Sequence, residues 1–253
     1  MPIILAIETS SELASCALLN SAAGADAPAV AAVLTRETSG VRTHSQSVLP
    51  MVQELLLDAG VTLADCDAIA FGAGPGSFTG VRTACGVAQG LAFGAGKPVL
   101  PLVTLEAMAE ACRARTGATE VLAVLDARMG EVYWAQYRWN GAWQIVRAPA
   151  LCAPGDVAPE PVADLVACGN GLAAYPEAFA AQDWAAGARA AGLVDLLPHA
   201  REFAVLGVAA LAAGRAVPAD QAQPLYLRNK VAYTSAERQA INAAKAGTQQ
   251  VAP

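Results

Sequence analysis

The sequence has few charged residues and no excess of basic ones, and each shortage excludes a class of protein. Charged residues make up 15% of the chain, against about 25% in typical domains, while apolar residues make up 55%. In a chain of 253 residues this composition indicates a folded protein with a full core, and it excludes intrinsic disorder for most of the length. The net charge is −6 and no lysine or arginine cluster exceeds two residues, which excludes a general nucleic-acid-binding protein.

Long apolar runs are also missing. The longest uncharged ones, 83–96 and 203–214, are shorter than the roughly 18 residues that a membrane-spanning helix requires. The apolar run at 2–7 has no basic segment before it and does not resemble a signal peptide. The six cysteines stand 16 to 50 residues apart without a CxxC pair, as is typical of buried thiols in a reducing compartment. We therefore expect a soluble cytoplasmic protein with no membrane partner.

The first hundred residues predict elements in the order β-β-β-α-β-α-β. Short apolar runs bounded by turn residues predict strands at 2–7, 15–20, 29–35, 67–71 and 98–102. Helices are predicted at 47–59, between an N-cap at Ser47 and a stop at Gly60, and at 81–95.

A similar order recurs in the second half. Strands are predicted at 121–126, 131–139, 143–147 and 162–168, followed by a helix at 203–213. Three meandering strands followed by further helices and strands, seen twice, predict a duplicated α/β fold of the ribonuclease-H/actin type. We expect an N-terminal lobe at 1–102, a smaller C-terminal lobe at 103–235 and a flexible tail at 236–253.

A glycine-rich loop at 72–80 lies between a predicted strand and a predicted helix, where backbone N–H groups can hold an anion. It is not a dinucleotide fingerprint, since the third glycine comes one residue early and no acidic residue stands about 20 residues further on. Three interpretations stay open. The loop fixes the start of the helix, forms part of an interface, or binds phosphate through Gly76 and Ser77.

Gly86, Gly90 and Gly94 recur every four residues along the second predicted helix. A glycine in a helix costs up to about 1 kcal/mol relative to alanine, so three in register indicate that another backbone approaches closely. That backbone belongs either to this chain's own sheet or first helix, or to a partner subunit. An apolar stripe with Leu49 and Leu56 on the first helix would enlarge a surface for a partner.

The common catalytic and metal-binding motifs are absent from the sequence. The two histidines, His44 and His199, lie far apart, and neither HExxH nor GxSxG occurs. Two polar turns fall where actin-like ATPases bind phosphate. Phosphate contact by Glu8, Thr9, Ser10 and Asp126 is one interpretation of these turns, and ordinary turn formation is the other.

Five segments, taken in order, resemble one bacterial family. They are ILAIETS at 4–10, HSQSVLPM at 44–51, GPGSFTGVR at 74–82, DARMGEVY at 126–133 and PLYLR at 224–228. From them the chain is identified as a member of the TsaB (YeaZ) family, a non-peptidase branch of the actin-like glycoprotease superfamily. The resemblance implies an actin-like fold and a part in making the threonylcarbamoyladenosine beside the anticodon of tRNA.

The resemblance further implies an accessory subunit. The related transferase, TsaD, holds a metal through an HxxxH motif whose two positions fall here on Thr104 and Met108, which cannot replace two imidazoles. We therefore expect no catalytic residue and no metal or cofactor on this chain alone, with ATP and metal on its partner subunits. The expected partners are TsaD in a heterodimer, TsaE in a ternary complex and, without TsaD, a second copy of this chain. Contact with tRNA is expected only through the complex.

The pairing surface of the family is built from its first two helices. By resemblance, the predicted interface residues are Leu49, Val52, Leu56, Val81, Gly86, Gly90 and Gly94. The rival interpretation is an autonomous actin-like ATPase or kinase that uses Glu8, Asp126 and the loop at 72–80. Against it, the two phosphate turns lack the usual aspartate and glycines, and Arg128 is large enough to fill the space of a phosphate.

Overall fold

A computed structural model of the chain describes residues 2–20, 32–39, 44–185 and 192–228. The strands are β1 (Ile3–Glu8), β2 (Leu13–Asn20), β3 (Ala32–Ser39), β4 (Ala68–Gly74), β5 (Val99–Val103), β6 (Glu120–Arg128), β7 (Glu131–Trp139), β8 (Trp143–Cys152) and β9 (Val166–Cys168). The helices are α1 (His44–Ala59), α2 (Phe78–Ala95), α3 (Thr104–Thr116), α4 (Asn170–Ala174) and α5 (Ala200–Ala212). None of the helices in these ranges is both long and apolar enough to span a membrane.

The first sheet has the strand order β3-β2-β1-β4-β5. Strands β1, β2 and β3 form an antiparallel meander, and β4 and β5 add in parallel, so that Leu5 lies between Leu18 and Ile69. Helices α1 and α2 cover one face of this sheet and α5 covers the other. Because both faces are covered, the strands are continuous apolar runs, and every residue of β4 is buried.

The second sheet repeats this plan with the order β8-β7-β6-β9. Strands β6, β7 and β8 form an antiparallel meander, and β9 pairs with β6 in parallel, as β4 does with β1. Helices α3 and α4 pack against β6. The recurrence confirms the predicted duplicated α/β fold and the order of elements in the first half of the chain.

Several predicted boundaries were wrong. Helix α1 begins at His44 rather than after Ser47, and the buried His44 ring lies 3.3 Å from the carbonyl oxygen of Glu12. Helix α2 begins at Phe78 rather than at Val81, since Ser77 is its N-cap. Strand β8 runs on to Cys152, and β9 begins only at Val166, because the chain turns at Asp164 with a φ of +60°.

Helix α3 was not predicted, because acidic residues interrupt its apolar pattern. Glu110 is only 7% exposed and has two partners, of which only Arg113 stands at helical spacing. The indole N–H of Trp143 donates to it at 2.9 Å, and Arg113 pairs with it at 3.1 Å.

The division into lobes stays a prediction. Helix α5 falls in the range of the predicted C-terminal lobe but packs on the first sheet, against β1, β2 and β4. Residues 29–31, the start of the third predicted strand, and the predicted tail at 236–253 lie outside the described residues.

Candidate functional site

A cleft of about 310 Å³ lies between the two sheets. The first sheet and α2 contribute Ser10, Gly76 and Ser77 to its wall, and the second sheet contributes Asp126 and Arg128. The structure therefore brings together four of the six residues predicted to contact phosphate. Glu8 and Thr9 do not line the cleft, because both are fully buried behind it.

Glu8, at the end of β1, is fully buried. Its Oε1 accepts a hydrogen bond from the backbone N–H of Ser10, and its Oε2 has no hydrogen-bond partner within the described residues. Burial raises the pKa of Glu8 to about 7, and the hydrogen bonds to Ser10 oppose the rise. The side chain packs against Gly72, and a β-carbon there would also lie 3.2 Å from Phe203 of α5.

The glycines at the start of α2 are explained by close packing. A β-carbon on Gly76 would lie 2.6 Å from Ser10 Cβ, and one on Gly80 would lie 1.8 Å from the carbonyl oxygen of Thr9. The backbone N–H of Ser77 donates to Ser10 O at 2.7 Å, and Thr9 Oγ1 donates to Gly80 O at 2.7 Å. Of the three interpretations of the loop, fixing the helix start against the β1–β2 turn accounts for these contacts.

Asp126 already has hydrogen-bond and ion-pair partners on its own side of the cleft. Its Oδ1 accepts from the backbone N–H of Arg128 at 2.8 Å and from the Tyr175 hydroxyl at 3.1 Å. The Arg128 guanidinium lies 3.2 Å from Asp126 Oδ2 and 3.7 Å from Glu12 Oε2, which belongs to the β1–β2 turn on the opposite wall. A phosphate at this point would have to displace Arg128 or bind to it. Phosphate contact by Asp126, as by the other five residues, stays a prediction.

The positions of the HxxxH motif hold no metal-binding set. Thr104 and Met108 are both fully buried, and no group of three or more His, Cys, Asp and Glu side chains in the described ranges is placed to hold a metal ion. The two histidines have structural contacts. His44 lies against Glu12, while His199 is the N-cap of α5, with Nδ1 accepting from Arg201 N and Nε2 lying 3.0 Å from Glu37. Burial lowers the pKa of His199.

The glycine stripe of α2 faces outward. Gly86, Gly90 and Gly94 are exposed, and β-carbons built on them would meet no atom within 4 Å. Neither the chain's own sheet nor α1 approaches them. For the described residues, the interpretation that the glycines pack against this chain's own backbone is therefore wrong. The backbone of α2 is therefore exposed to solvent along this stripe.

The neighbouring apolar residues divide into surface and core. Leu49 is 51% exposed and Leu56 is partly buried, whereas Val52 and Val81 are 3% and 2% exposed and belong to the core. Val52 and Val81 therefore pack beneath α1 and α2 and do not form part of their exposed surface. For the remaining five residues, a place in an interface stays a prediction.

Sequence reasoning missed two exposed residues on the same helices. Leu57 on α1 is 78% exposed and Phe93 on α2 is 84% exposed. Leu57 falls outside the stripe of Leu49 and Leu56, whereas Phe93 stands seven residues after Gly86 and lies on the glycine stripe. An apolar residue out of phase with the buried stripe was the signal that could have found them.

Comparisons with known proteins agree with this architecture. A family described as "TsaD: tRNA N6-adenosine threonylcarbamoyltransferase" matches residues 32–246. The tRNA threonylcarbamoyladenosine biosynthesis protein TsaB of Escherichia coli is 40% identical over 91% of this chain and 96% of the relative. The Haemophilus influenzae TsaB is 35% identical over 91% of this chain and 95% of the relative. The solved structure of YeaZ from Pseudomonas aeruginosa has a TM-score of 0.77 and 40% identity, covering 90% of this chain and all of that one.

The repeated sheets and the cleft between them define an actin-like α/β protein of the glycoprotease superfamily. The likeness to the relatives named TsaB and YeaZ runs over nearly the whole length of both proteins. The chain belongs to the TsaB (YeaZ) family, which takes part in tRNA threonylcarbamoyladenosine biosynthesis.

Proposed function

We propose that this chain is a non-catalytic subunit that binds TsaD and supports it in transferring the threonylcarbamoyl group to the adenosine next to the anticodon of tRNA. In this proposal TsaE joins the pair in a ternary complex, and the chain pairs with itself when TsaD is absent. ATP and metal are held by the partner subunits, and tRNA is contacted only through the assembled complex in the cytoplasm.

The observation that carries the proposal is the open glycine stripe. Three exposed glycines on one helix cost stability and are contacted by no part of the described chain, so the packing of the described residues does not account for them. Exposed Leu49, Leu57 and Phe93 on the same two helices add apolar area. Glycines let another backbone approach closely, and apolar residues supply the burial that a stable interface requires.

The side chains at the expected catalytic positions support a subunit rather than a transferase. Thr104 and Met108 are buried in the core where the resemblance places the two metal-binding imidazoles of TsaD. In the cleft, Asp126 is bound by Arg128 and Tyr175. These residues have packing partners of their own and present no nucleophile with an adjacent base.

Size-exclusion chromatography with light scattering tests this proposal. The chain is measured alone and after mixing with TsaD from the same cell, and we expect a heterodimer that replaces any homodimer. A chain that keeps the same mass with and without TsaD would contradict the partnership.

The rival function, an autonomous ATPase, is favoured by one observation, the convergence of Ser10, Gly76, Ser77 and Asp126 on the cleft. It is tested by ATP hydrolysis with the purified chain and Mg²⁺, using Asp126→Asn as the comparison. Turnover by the chain alone that falls on this substitution would establish the rival and overturn the accessory role. We expect no turnover in either.

A further inference from the structure

The segment 222–228 runs from one lobe to the other across the cleft. It contains the PLYLR motif, and its last four residues, 225–228, line the cleft. The family resemblance identifies the motif but assigns no role to it.

The beginning of the segment is bound to the first lobe. The carbonyl oxygen of Ala222 accepts from Gln89 Nε2 on α2 at 3.0 Å, and the backbone N–H of Leu225 donates to Ala73 O on β4 at 2.7 Å. The carbonyl of Leu225 lies so close to Gly74 that a β-carbon there would be 2.9 Å from its oxygen. These contacts hold the segment against α2 and the end of β4.

Tyr226 is held by the first turn of α2. Its hydroxyl accepts from Arg82 Nε at 2.9 Å, and its ring lies 5.6 Å from the ring of Phe78. The Arg82 guanidinium is stacked 3.7 Å from the Phe78 ring, so the three side chains form one stack. Phe78 and Arg82 both belong to the GPGSFTGVR motif, which is thereby joined to the PLYLR motif.

Arg228, two residues further on, reaches the second lobe. Its guanidinium donates to Ala127 O at 2.9 Å and to Arg128 O at 3.4 Å, and it pairs with Glu131. The Arg228 side chain is only 15% exposed, so this ion pair is screened less than one on the open surface. All of these acceptors lie at the ends of β6 and β7 that flank their turn, in the DARMGEVY motif.

The turn that Arg228 holds has a strained backbone. Arg128 and Met129 both have a φ of +60°, a region that costs non-glycine residues roughly 1 kcal/mol or more each. Such a conformation persists where the surroundings stabilise it, and the carbonyl groups of Ala127 and Arg128 point to Arg228. The Arg128–Glu12 pair crosses the cleft as well, but at 3.7 Å and with both side chains largely exposed its contribution is small.

We infer that the segment 222–228 is a clasp that keeps the two lobes closed over the cleft. Three of the sequence motifs then have one shared role. The PLYLR motif spans the cleft, and the GPGSFTGVR motif anchors the PLYLR motif on α2. The DARMGEVY motif supplies the turn whose flanking residues bind Arg228. Arg228 is a positioning residue in this device. Its removal frees the β6–β7 turn from the first lobe while the core of each lobe stays folded.

Hydrogen–deuterium exchange of the full chain tests the clasp. In Arg228→Ala we expect amide exchange to rise about tenfold or more in the turn at 126–131 and at 10–12 on the facing wall, with β1 and β2 unchanged. Arg228→Lys keeps the charge but loses the planar fork, so a smaller rise in the same segments is expected. Arg147→Ala is the matched control, since Arg147, which lies on β8, forms an exposed ion pair with Glu160.

Two results would overturn the clasp. One is unchanged exchange in the turn and the facing wall of Arg228→Ala. The other is an equal rise in every segment, which would make Arg228 a contributor to overall stability alone. If Arg228→Ala does not fold, Arg228→Lys and Tyr226→Phe decide the question. Tyr226→Phe removes only the hydroxyl that accepts from Arg82, and the clasp requires a selective rise at 126–131 in both variants.

Discussion

The carboxylate of Glu8 is packed so tightly against Gly72 that a β-carbon at residue 72 would lie 1.7 Å from Glu8 Oε2. Glu8 comes from the end of β1 and Gly72 from the adjacent parallel strand β4. The space for a fully buried acid therefore exists because the neighbouring strand has no side chain there. This pair decides two properties of the first lobe, its tolerance of substitution at residue 72 and its stability as a function of pH.

Substitution of the two kinds of glycine should have opposite effects. We expect Gly72→Ala to destabilise the chain by about 1–3 kcal/mol or more, because the new methyl group collides with Glu8. Gly86→Ala, where a β-carbon meets nothing within 4 Å, should stabilise it by up to about 1 kcal/mol through helix propensity. Urea unfolding of both variants measures the difference. A stable Gly72→Ala chain would contradict the packing described here.

The contribution of Glu8 to the stability of the chain should fall as the pH rises from about 4.5 to about 7. Burial raises the pKa of Glu8 from 4.5 to about 7 in the folded chain, so in this window the folded state binds a proton that the unfolded state has released. The loss is on the order of 3 kcal/mol. Glu202, whose pKa burial also raises to about 7, contributes in the same direction.

Urea unfolding at pH 5 and pH 8 measures this effect. Glu8→Gln cannot titrate but keeps an oxygen that can accept from Ser10 N, so its stability should change less between the two pH values than that of the natural chain. Glu202→Gln is the control for the second carboxyl. Equal pH dependence in Glu8→Gln and the natural chain would show that Glu8 does not titrate in this window.

Blocking the open stripe should abolish association without unfolding the monomer. Gly90→Leu places a large side chain on exposed backbone, where it cannot disturb this chain's core, and leucine has the higher helix propensity. We expect light scattering to show the loss of the TsaD complex and of any homodimer, with an unchanged circular dichroism spectrum. Phe93→Asp, which puts a charge on the same helix, should have the same effect.

The control for Gly90→Leu is Ala209→Leu, which adds a similar side chain at an exposed position of α5. It should associate as the natural chain does. If Gly90→Leu also associates normally, then the stripe is not the pairing surface and the partner binds elsewhere.

The isolated chain should bind tRNA weakly. Its net charge of −6 repels phosphate, and no basic cluster in the sequence offsets the repulsion. Fluorescence anisotropy with labelled tRNA at physiological salt should detect tight binding only after the partner subunits are added. Tight binding by this chain alone would contradict the division of roles in the proposal.

Most strands and helices around the first sheet could be predicted, because local sequence signals mark where they begin and end. Strand β4 is a short, fully buried apolar run, and α2 ends at Gly96 in the left-handed conformation that glycine favours. Helix α3 was missed because acidic residues interrupt its apolar pattern. The indole N–H of Trp143, 33 residues away, donates a hydrogen bond to its buried Glu110, and no local pattern indicates that contact.

The candidate surface was only partly predictable for a related reason. Helical spacing groups Leu49 with Leu56, and Val52 with Val48, but it does not reveal which stripe faces the sheet. Val52 turned out to be core and Leu57 surface. The glycine stripe was visible in the sequence, yet whether the chain's own backbone covered it depended on where the sheet and α1 lie.

The sequence by itself determined the family, the duplicated order of strands and helices and the low charge, because motifs, apolar runs and composition are local properties of the chain. Only the tertiary structure decided that the glycines of α2 are exposed, that Glu8 is buried against Gly72 and that Arg228 binds the residues at 127–131. Each of these depends on contacts between residues far apart in sequence, and such contacts exist only once the sheets have brought the segments together.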